Sequence, residues 1–525
     1  MMAISITGFG GEIPRVEARL LANSAAQVAR TVKLEDGSIT PLRVPTLAKA
    51  LSSTALTIFL DGDDWLTWSA VVSVVPAPIA EDRLYVTGNG APKVIAAGVT
   101  YPLAVPAPSR ALVASIQTGT PDPELSSTIL YTYTWVTTLD EESEPAPLSN
   151  ALLWSEGLNV VLSGFALPPA GRPIDRMRIY RSQTSALGET LLYLIKERAV
   201  SASGFTDLAG ENDIQEQLPS LDYNAPPANL SGLVPMPNGM MAAFVGKKLY
   251  FCEPYRPHAW PEKYILTMDY EIVGLGVFGS AVAVMTRGQP YIVAGTAPDT
   301  MSMEKLEVNL PCVSARGIVD LGYSIAYPSP EGLVVINTSG AQLVSRNLIT
   351  RDQWQRLKPA SFVASVHSGR YVTSYTPISG PPATLVIDLS GEQPFITHAD
   401  AHATAMYYDI ETSRLFYAEG LEILEWDALT AAPDMCTWRS KIFALAGHVN
   451  FSCFLADVEQ IAGATTLSFT ARIIADGRQV ASVQTVNQVA RLPSGFLARN
   501  WEIEVESNAK VTAIALAFSP TELSA

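Results

Sequence analysis

The 525-residue chain is short of charge, since Asp, Glu, Lys and Arg make up only 16% of it, against about 25% in a typical soluble protein. Its mean hydropathy is +0.19, yet no uninterrupted apolar run approaches the roughly 18 residues of a membrane-spanning helix. This excludes a transmembrane helix. The length predicts three or four domains. A chain with so little charge is expected to bury extra surface against partner subunits.

Cysteine is equally scarce. The four cysteines show no CxxC pair and no short framework spacing, which argues against a disulfide scaffold and suits reduced thiols in a cytosol. They are Cys252, Cys312, Cys436 and Cys453. The N-terminal stretch "MMAISITGFGGEIPR" has neither a charged start nor an apolar core, so it predicts no secretion signal.

Motifs for catalysis are missing as well. The sequence contains no GxSxG, Walker A or HExxH pattern, and we therefore expect no enzyme and no cofactor. A pair of carboxylates for glycoside hydrolysis stays open, because two such residues can be hundreds of positions apart. The stretch "THADAHA" places His398, Asp400 and His402 together, but a metal site needs further ligands and supporting hydrogen bonds, so no metal is expected.

The net charge of −16 is unevenly distributed. Residues 1–50 carry +2 and residues 436–525 carry zero, which leaves −18 for the middle of the chain. Phosphate affinity needs clustered cations, so this middle part predicts a poor binder of nucleic acid. Two interpretations of the acidity stay open: it provides solubility, or it forms an acidic wall along which DNA moves without binding.

Strand patterns dominate, punctuated by 35 Gly and 37 Pro, and predict an all-β fold. Helical periodicity is scarce, with "LLANSAAQVA" (20–29) one of few candidates. Short strand units begin at Lys247 and recur after 34, 42, 46 and 44 residues. Blades of a β-propeller repeat at about 40–50 residues. An earlier unit, "DRLYVTGNG" from Asp82, matches the same pattern, and the repeats predict a discontinuous β-propeller.

The long interval between the first two units predicts an insertion. Two proline-rich stretches, "YPLAVPAPSR" and "LDYNAPPANL", enclose several short strands that fit a fibronectin III- or immunoglobulin-like β-sandwich. The last ninety residues predict a further β-domain, in which "TTLSFTARIIADGRQVASV" forms two strands joined by an Asp-Gly turn. The predicted domains are an N-terminal docking arm (1–44), the first propeller part (45–104), the insertion (105–225), the remaining propeller (226–435) and the C-terminal β-domain (436–525).

The stretch "LYFCEPYRPHAWPEKY" (249–264) looks reactive but predicts architecture and contact. Its prolines cannot donate to a sheet, so the part after Cys252 is expected to leave the strand as a rigid loop. Cys252 is expected to be a small buried residue. His258 is either a catalytic group or a packing and hydrogen-bonding residue. Tyr, Arg and Trp dominate interface energetics, so Tyr255, Arg256 and Trp260 are candidate contact residues.

The N-terminal "GFGGEIPR" is predicted to be a flexible docking arm outside the core, because three glycines loosen it and arginines make this end cationic. Its candidate contact residues are Phe9, Ile13 and Arg15.

Several long stretches resemble one family. They begin with "GFGGEIPRVEARLLANSAAQVARTVKLEDGSITPLRVP" and continue with "LPSLDYNAPPANLSGLVPMPNGMMAAFVGKKLYFCEPYRPHAWPEKY". Later ones are "CVSARGIVDLGYSIAYPSPEGLVVI", "LITRDQW" and "RLPSGFLARNWEIEV". The sequence is similar there to the tail nozzle, or tail tube, proteins of short-tailed (podovirus-type) bacteriophages, and the most specific part is 218–354.

This resemblance implies a structural virion protein: a homohexamer built around a propeller that continues the DNA-ejection channel below the portal and adaptor rings. Its implied neighbours are the adaptor ring and tail fibres, spikes or a needle, and double-stranded DNA passes through without tight binding. The implied location is the virion tail, after assembly in the host bacterial cytoplasm. Two alternatives stay open: a receptor-binding, glycan-binding or glycan-cleaving propeller of the tail, and a host-encoded propeller serving as an interaction hub.

Overall fold

The computed structural model describes residues 4–76, 78–79, 82–184, 189–210, 213, 215–390, 394–464 and 466–523. The chain forms two compact units. Unit 1 comprises Met1–Val71, Val282–Ile292 and Glu304–Ala525, and unit 2 comprises Val72–Ala281 and Val293–Met303. Each unit is described by itself.

The strands of the first half are short and follow one another closely. Up to residue 76 they are β1 (Ile4–Ile6), β2 (Ala26–Arg30), β3 (Val32–Lys33), β4 (Thr40–Pro41), β5 (Thr46–Ala50), β6 (Thr57–Asp61), β7 (Asp64–Trp68) and β8 (Ser73–Pro76). Next come β9 (Arg83–Thr87), β10 (Lys93–Ala96), β11 (Val99–Pro102), β12 (Val113–Ile116), β13 (Ser127–Ile129), β14 (Tyr131–Thr137), β15 (Leu152–Trp154) and β16 (Val160–Ser163). The remainder are β17 (Ile174–Thr184), β18 (Thr190–Ala199), β19 (Phe205–Asp207), β20 (Ser231–Pro235), β21 (Met241–Val245), β22 (Lys248–Phe251), β23 (Leu266–Thr267) and β24 (Ile272–Phe278).

The second half continues in the same manner. Its first strands are β25 (Ala281–Thr286), β26 (Tyr291–Ala294), β27 (Ser302–Lys305), β28 (Val319–Asp320), β29 (Ile325–Ser329), β30 (Gly332–Asn337), β31 (Gly340–Leu343), β32 (Val363–His367), β33 (Arg370–Tyr375), β34 (Ala383–Asp388) and β35 (Phe395–Ala399). Then follow β36 (Ala405–Asp409), β37 (Arg414–Glu419), β38 (Glu422–Glu425), β39 (Cys436–Ser440), β40 (Phe443–Val449), β41 (Cys453–Glu459), β42 (Phe469–Ala475), β43 (Arg478–Val483), β44 (Ala490–Arg491), β45 (Ala498–Ser507) and β46 (Lys510–Ala517). One α-helix, α1 (Arg351–Arg356), occurs in the described residues, and none of their helices is long and apolar enough to cross a membrane.

Four-stranded antiparallel sheets of the blade type recur in both units. In unit 1, strands β28 to β31 pair in chain order. In unit 2, β8 to β11 and β20 to β23 do the same. Several of their turns are supplied by glycines such as Gly246 and Gly340 at positive φ, a conformation that glycine adopts without steric cost. The predicted all-β class with blade-type sheets is therefore confirmed.

One blade is completed by a strand from far away in the chain. The sheet order is β36-β37-β38-β5, and Thr46–Ala50 runs antiparallel to Glu422–Glu425. Joining an early strand to a late sheet covers an edge that would otherwise expose unpaired backbone groups. This pairing confirms the predicted discontinuous organisation.

The C-terminal strands share their sheets with the N-terminus. Strand β46 lies between β1 and β41, while β2 joins β35 on one side and β39 on the other. A single core cluster contains Phe9, Trp438, Phe454 and Trp501. The N-terminal segment is thus part of a folded core, and the prediction of a flexible arm outside the core is wrong. The physical reason is the Phe9 ring. The free energy gained by burying it exceeds the conformational entropy cost of ordering the glycines around it.

Two local predictions for unit 1 had opposite outcomes. The Asp476–Gly477 turn joins β42 to β43 in an antiparallel hairpin, as predicted. The prediction of a helix at 20–29 is wrong, because residues in the second half of this stretch belong to strand β2. A ten-residue helix is only marginally stable in water. The segment instead forms a strand that pairs with β39. The helix that does form, α1, begins at a capping box in which Thr350 accepts a hydrogen bond from the Gln353 amide.

The insertion in unit 2 is a small β-sandwich, as predicted. Its sheets are β12-β16-β19, β13-β15 and β14-β17-β18, and they enclose one core. Strand β14 is buried on both faces. Its aromatic residues Tyr131, Tyr133 and Trp135 enter the core, while the hydroxyl of Thr132 donates to the Ala146 carbonyl at 2.7 Å.

Candidate interface surfaces

The loop after β22 leaves the strand, as predicted, and its tip presents two large side chains to solvent. Tyr255 and Arg256 are exposed at its tip, and the Tyr255 side chain is 51% accessible. Main-chain hydrogen bonds hold the loop: the Tyr255 amide donates to Gly239 at 2.9 Å and the Ala259 amide to Arg256 at 2.9 Å. A Cβ added at Gly239 would meet the Tyr255 ring at 2.5 Å. The tip is therefore ordered before any partner binds.

Trp260, the third predicted contact residue of this loop, is buried. It is 1% exposed and packs in a core cluster with Tyr85 and Cys252, and its indole donates to the Pro257 carbonyl at 2.7 Å. A contact role in the folded chain is therefore wrong for Trp260, because the loop folds its tryptophan back onto the sheet. Cys252 is fully buried, as expected, and burial raises the pKa of its thiol to about 12.

His258 joins this loop to the inserted sandwich. It is 2% exposed, and its Nε2 lies 3.0 Å from the Glu142 carbonyl oxygen, to which it donates. Burial lowers the pKa of His258 to about 3, so the ring is neutral at physiological pH. The geometry fits the packing and hydrogen-bonding interpretation of this residue.

The N-terminal candidates occupy three different environments. Phe9 is 3% exposed and meets the Trp438 ring edge-on at 4.9 Å. Ile13 is half-buried against a second core cluster. Arg15 is exposed, and its guanidinium donates to the Arg346 carbonyl at 2.9 Å. Of the three, only Arg15 presents its side chain to solvent.

A cleft that the sequence analysis missed lies beside the completed blade of unit 1. Its volume is about 440 Å³, within the range of about 300–1,000 Å³ found for ligand pockets. The floor is apolar, with Tyr417, Leu424 and Trp426. Carboxylates from separate parts of the chain surround it: Asp400, Glu419, Glu422, Asp427 and Asp434.

Two of these carboxylates have cationic partners. Asp400 pairs with Arg30 at 3.1 Å, and Asp427 pairs with Lys33 at 2.7 Å. Arg43 also lines the cleft, but its guanidinium donates to main-chain oxygens, including that of Ala462 at 3.1 Å. This leaves an excess of negative charge in the cleft.

The other three carboxylates make no ion pair within the described residues. Glu419 accepts a hydrogen bond from the His402 amide at 3.1 Å, and Asp434 accepts one from the Met435 amide at 2.7 Å. Glu419 and Glu422 stand directly opposite each other across the β37–β38 hairpin. Like charges in that position destabilise a sheet. The sequence signal was present in "AEGLEILEWD", where a Gly-Leu turn is flanked by two glutamates, but it becomes visible only once the hairpin register is known.

The two segments that border this cleft expose several apolar residues. Leu47 on β5 is 59% exposed and lies opposite Leu424. The Leu51 amide donates to the Leu421 carbonyl at 2.7 Å, and the Val44 amide donates to Ala432 at 3.0 Å, so residues 43–51 and 421–435 run together. The exposed apolar residues of these two segments, here called the apolar strip, are Val44, Leu47, Leu421, Leu429 and Met435. Exposed apolar residues rimmed by charge are typical of protein contact surfaces.

The residues of "THADAHA" each have a different neighbour. His398 Nε2 lies 3.5 Å from Glu12, Asp400 pairs with Arg30, and His402 Nδ1 lies 3.1 Å from the Ser374 hydroxyl. Within the part of the chain that the structure describes, no three His, Cys, Asp or Glu side chains are grouped to hold a metal ion.

No family model matches the chain, and no curated protein matches it. Among solved structures, BamB from Moraxella catarrhalis is similar at 11% identity and a TM-score of 0.23, covering 62% of this chain and 95% of BamB. The extracellular domain of a hybrid two-component system from B. thetaiotaomicron shares 8% identity at a TM-score of 0.23, covering 93% of this chain and 61% of that one. YCF48 from Cyanidioschyzon merolae shares 10% identity at a TM-score of 0.25, and the similarity covers 73% of this chain and 98% of YCF48. These values are too low to argue from, so the fold assignment rests on the strand pairing described above.

Proposed function

We propose that this chain is a structural subunit of a short bacteriophage tail, forming a ring that continues the DNA-ejection channel, and that it is not an enzyme. The observation that carries the proposal is the apolar strip beside the acidic cleft. Stable subunit interfaces bury about 800 Å² on each partner and place apolar residues at their centre. A low-charge chain with a preformed contact surface fits repeated association with copies of itself and with an adaptor ring.

The segments that resemble tail nozzle proteins supply much of the buried framework. Three of them contain Trp260, Trp354 and Trp501, which rank among the largest fully buried side chains. The resemblance therefore falls on residues that hold the fold together. This supports a common architecture with that family, and with it a ring, an adaptor above it, and fibres, spikes or a needle as neighbours.

The charge distribution supports a conduit role. Residues 51–435 carry −18, whereas DNA binders present clustered cations that replace the counterions of the phosphates. An acidic channel would let the duplex pass with little friction, although screening within about 8 Å at physiological salt limits the range of this repulsion. The purified ring should therefore show negligible binding of duplex DNA at about 0.15 M salt.

The test of the proposal is assembly. Mass photometry of the purified full chain should show a ring, with a hexamer at about 340 kDa, six times the 56.3 kDa subunit. The chain should also be incorporated into phage tails that lack their own nozzle. A chain that stays monomeric and does not bind an adaptor ring at any concentration would overturn the proposal and favour a host-encoded interaction hub.

A second candidate function is favoured by the cleft itself. Glu419 and Glu422 of one hairpin and Asp434 of a later segment bring carboxylates to one cavity, which is an arrangement that a glycan-binding or glycan-cleaving propeller of the tail would use. Release of sugar from host polysaccharide, lost in Glu422→Gln, would establish this function. No release by the wild-type chain, together with no glycan binding, would exclude it.

A further inference from the structure

Two facing carboxylates of the cleft have no cationic partner within the described residues. Glu419 and Glu422 face each other on adjacent strands, and no Lys or Arg pairs with them within the described residues. Arg43 also lines the cleft, where its guanidinium donates to backbone oxygens and forms no ion pair with either glutamate within the described residues. Because facing carboxylates raise the free energy of the free subunit, a bound cation would relieve repulsion in addition to forming new hydrogen bonds.

The surroundings of the cleft favour a protein as the source of that cation. Sugars are commonly bound on exposed aromatic faces, but Trp426 is 6% exposed and Tyr417 is 1% exposed, so neither ring offers a stacking surface. The apolar side chains of the strip, such as Leu47 and Leu429, cannot form hydrogen bonds with sugar hydroxyls. It suits an aromatic or aliphatic side chain that arrives together with the charge.

The loop tip of unit 2 carries the matching pair of side chains. Tyr255 and Arg256 are adjacent and exposed. The Arg256 guanidinium donates to the Tyr255 carbonyl at 3.2 Å and also interacts with the Tyr223 hydroxyl, and within the described residues it forms no ion pair with a carboxylate. Tyr255 has a φ of 57°, held by the Gly239 hydrogen bond, so the tip loses little conformational entropy on binding. Arg prefers carboxylates because its planar fork forms two parallel hydrogen bonds.

We propose that the Tyr255–Arg256 tip of one copy binds the acidic cleft of a neighbouring copy, with Arg256 between Glu419 and Glu422 and Tyr255 on the apolar strip. This inference rests on the ring of the proposed function. The two surfaces are different parts of the same chain, so the contact is heterologous, and repeated heterologous contacts close into a ring when the rotation between copies permits. Charge complementarity selects a second copy as the occupant.

Reversal of the charges tests the pairing. Arg256→Glu and Glu422→Arg should each raise the concentration at which half of the chain is assembled by about 30-fold or more, the effect of losing an interface hot spot. The double variant, Arg256→Glu with Glu422→Arg, should recover most of the wild-type assembly. Matched controls are Lys248→Glu and Glu411→Arg, which reverse exposed charges outside the proposed contact and should leave assembly unchanged. Circular dichroism and thermal unfolding establish that every variant folds.

The outcomes separate the pairing from the ring. If the wild-type chain forms rings and Arg256→Glu forms them equally well, the pairing is wrong and the ring stands. Failure of the double variant to recover assembly also contradicts the pairing. If the wild-type chain is monomeric, the proposed function fails and the pairing with it. Binding of glycans that is lost in Glu422→Arg while rings persist would assign the cleft to sugar instead.

Discussion

The inserted sandwich and the completed blade use charge in opposite ways. In the sandwich, Glu142 is 5% exposed, and it accepts hydrogen bonds from Thr134 at 2.7 Å, Tyr180 at 2.7 Å and Arg178 at 2.8 Å. In the blade, Glu419 and Glu422 lie on a cleft without a cationic partner. Buried charge is tolerated only when it is paired and fully hydrogen-bonded. Buried and paired carboxylates therefore indicate a role in the fold, and accessible carboxylates without an ion pair are available for contact.

The largest effect is expected where a buried pair is broken in the sandwich. Asp207 accepts from Tyr131 at 2.7 Å and from Arg181 at 2.9 Å, with Arg181 also buried. Asp207→Ala leaves the buried guanidinium without its counter-ion, and the free energy of unfolding should fall by about 3–5 kcal/mol. Urea unfolding of the wild-type and Asp207→Ala chains measures this difference in the free energy of unfolding. Asp175→Ala, at a half-exposed acid of the same sandwich, is the control and should change stability by about 0.5 kcal/mol or less. Equal effects would contradict the distinction.

A similar loss is expected at the N-terminus, because Phe9 belongs to the core. Phe9→Ala removes a ring that packs on Trp438, and the free energy of unfolding should fall by about 3–5 kcal/mol. Leu20→Ala is the control, because that side chain is 74% exposed. A Phe9→Ala chain with wild-type stability but no assembly would restore the docking-arm prediction.

His258 makes the sandwich junction sensitive to acid. Burial lowers its folded-state pKa to about 3, while an unfolded histidine titrates near 6.5. Its contribution to stability is therefore complete above pH 6.5 and is lost as the pH falls toward 3. Between pH 7 and pH 5 the wild-type chain should lose about 2 kcal/mol through this group.

Urea unfolding of His258→Gln across the same pH range checks this expectation. Gln can still donate to the Glu142 carbonyl, and the loss between pH 7 and pH 5 should largely disappear. His448→Gln, at an exposed histidine, should keep the wild-type slope. An unchanged slope in His258→Gln would contradict the assignment.

The smallest effect on stability, with the opposite sign, is expected in the cleft. Neutralising Glu419, Glu422 and Asp434 to Gln, Gln and Asn removes repulsion between like charges. Stability should rise by about 0–1 kcal/mol, while ring assembly weakens. Thermal unfolding and mass photometry on the same sample measure both. A clear loss of stability would show that these carboxylates stabilise the fold. It would contradict the claim that they differ in this respect from the carboxylates of the sandwich.

The sequence predicted those parts of the fold that depend on local patterns. The blade repeats, the sandwich, the Asp476–Gly477 hairpin and the end of the strand before Cys252 all follow from alternation, turn residues and prolines. What it could not predict depends on pairing between distant segments. The burial of Phe9 needs β1 beside β46, and the cleft needs β5 beside β38. Trp260 was misassigned because residue type alone does not show which side of a loop faces the sheet.

The most direct measurement is an electron cryo-microscopy reconstruction of the purified full chain. The account predicts a closed ring in which the Tyr255–Arg256 tip of each copy fills the cleft of the next, with Arg256 within hydrogen-bonding distance of Glu419 and Glu422. A ring whose clefts are open to solvent, or occupied by another segment, would contradict the pairing. Isolated monomers with an empty cleft would contradict the account as a whole.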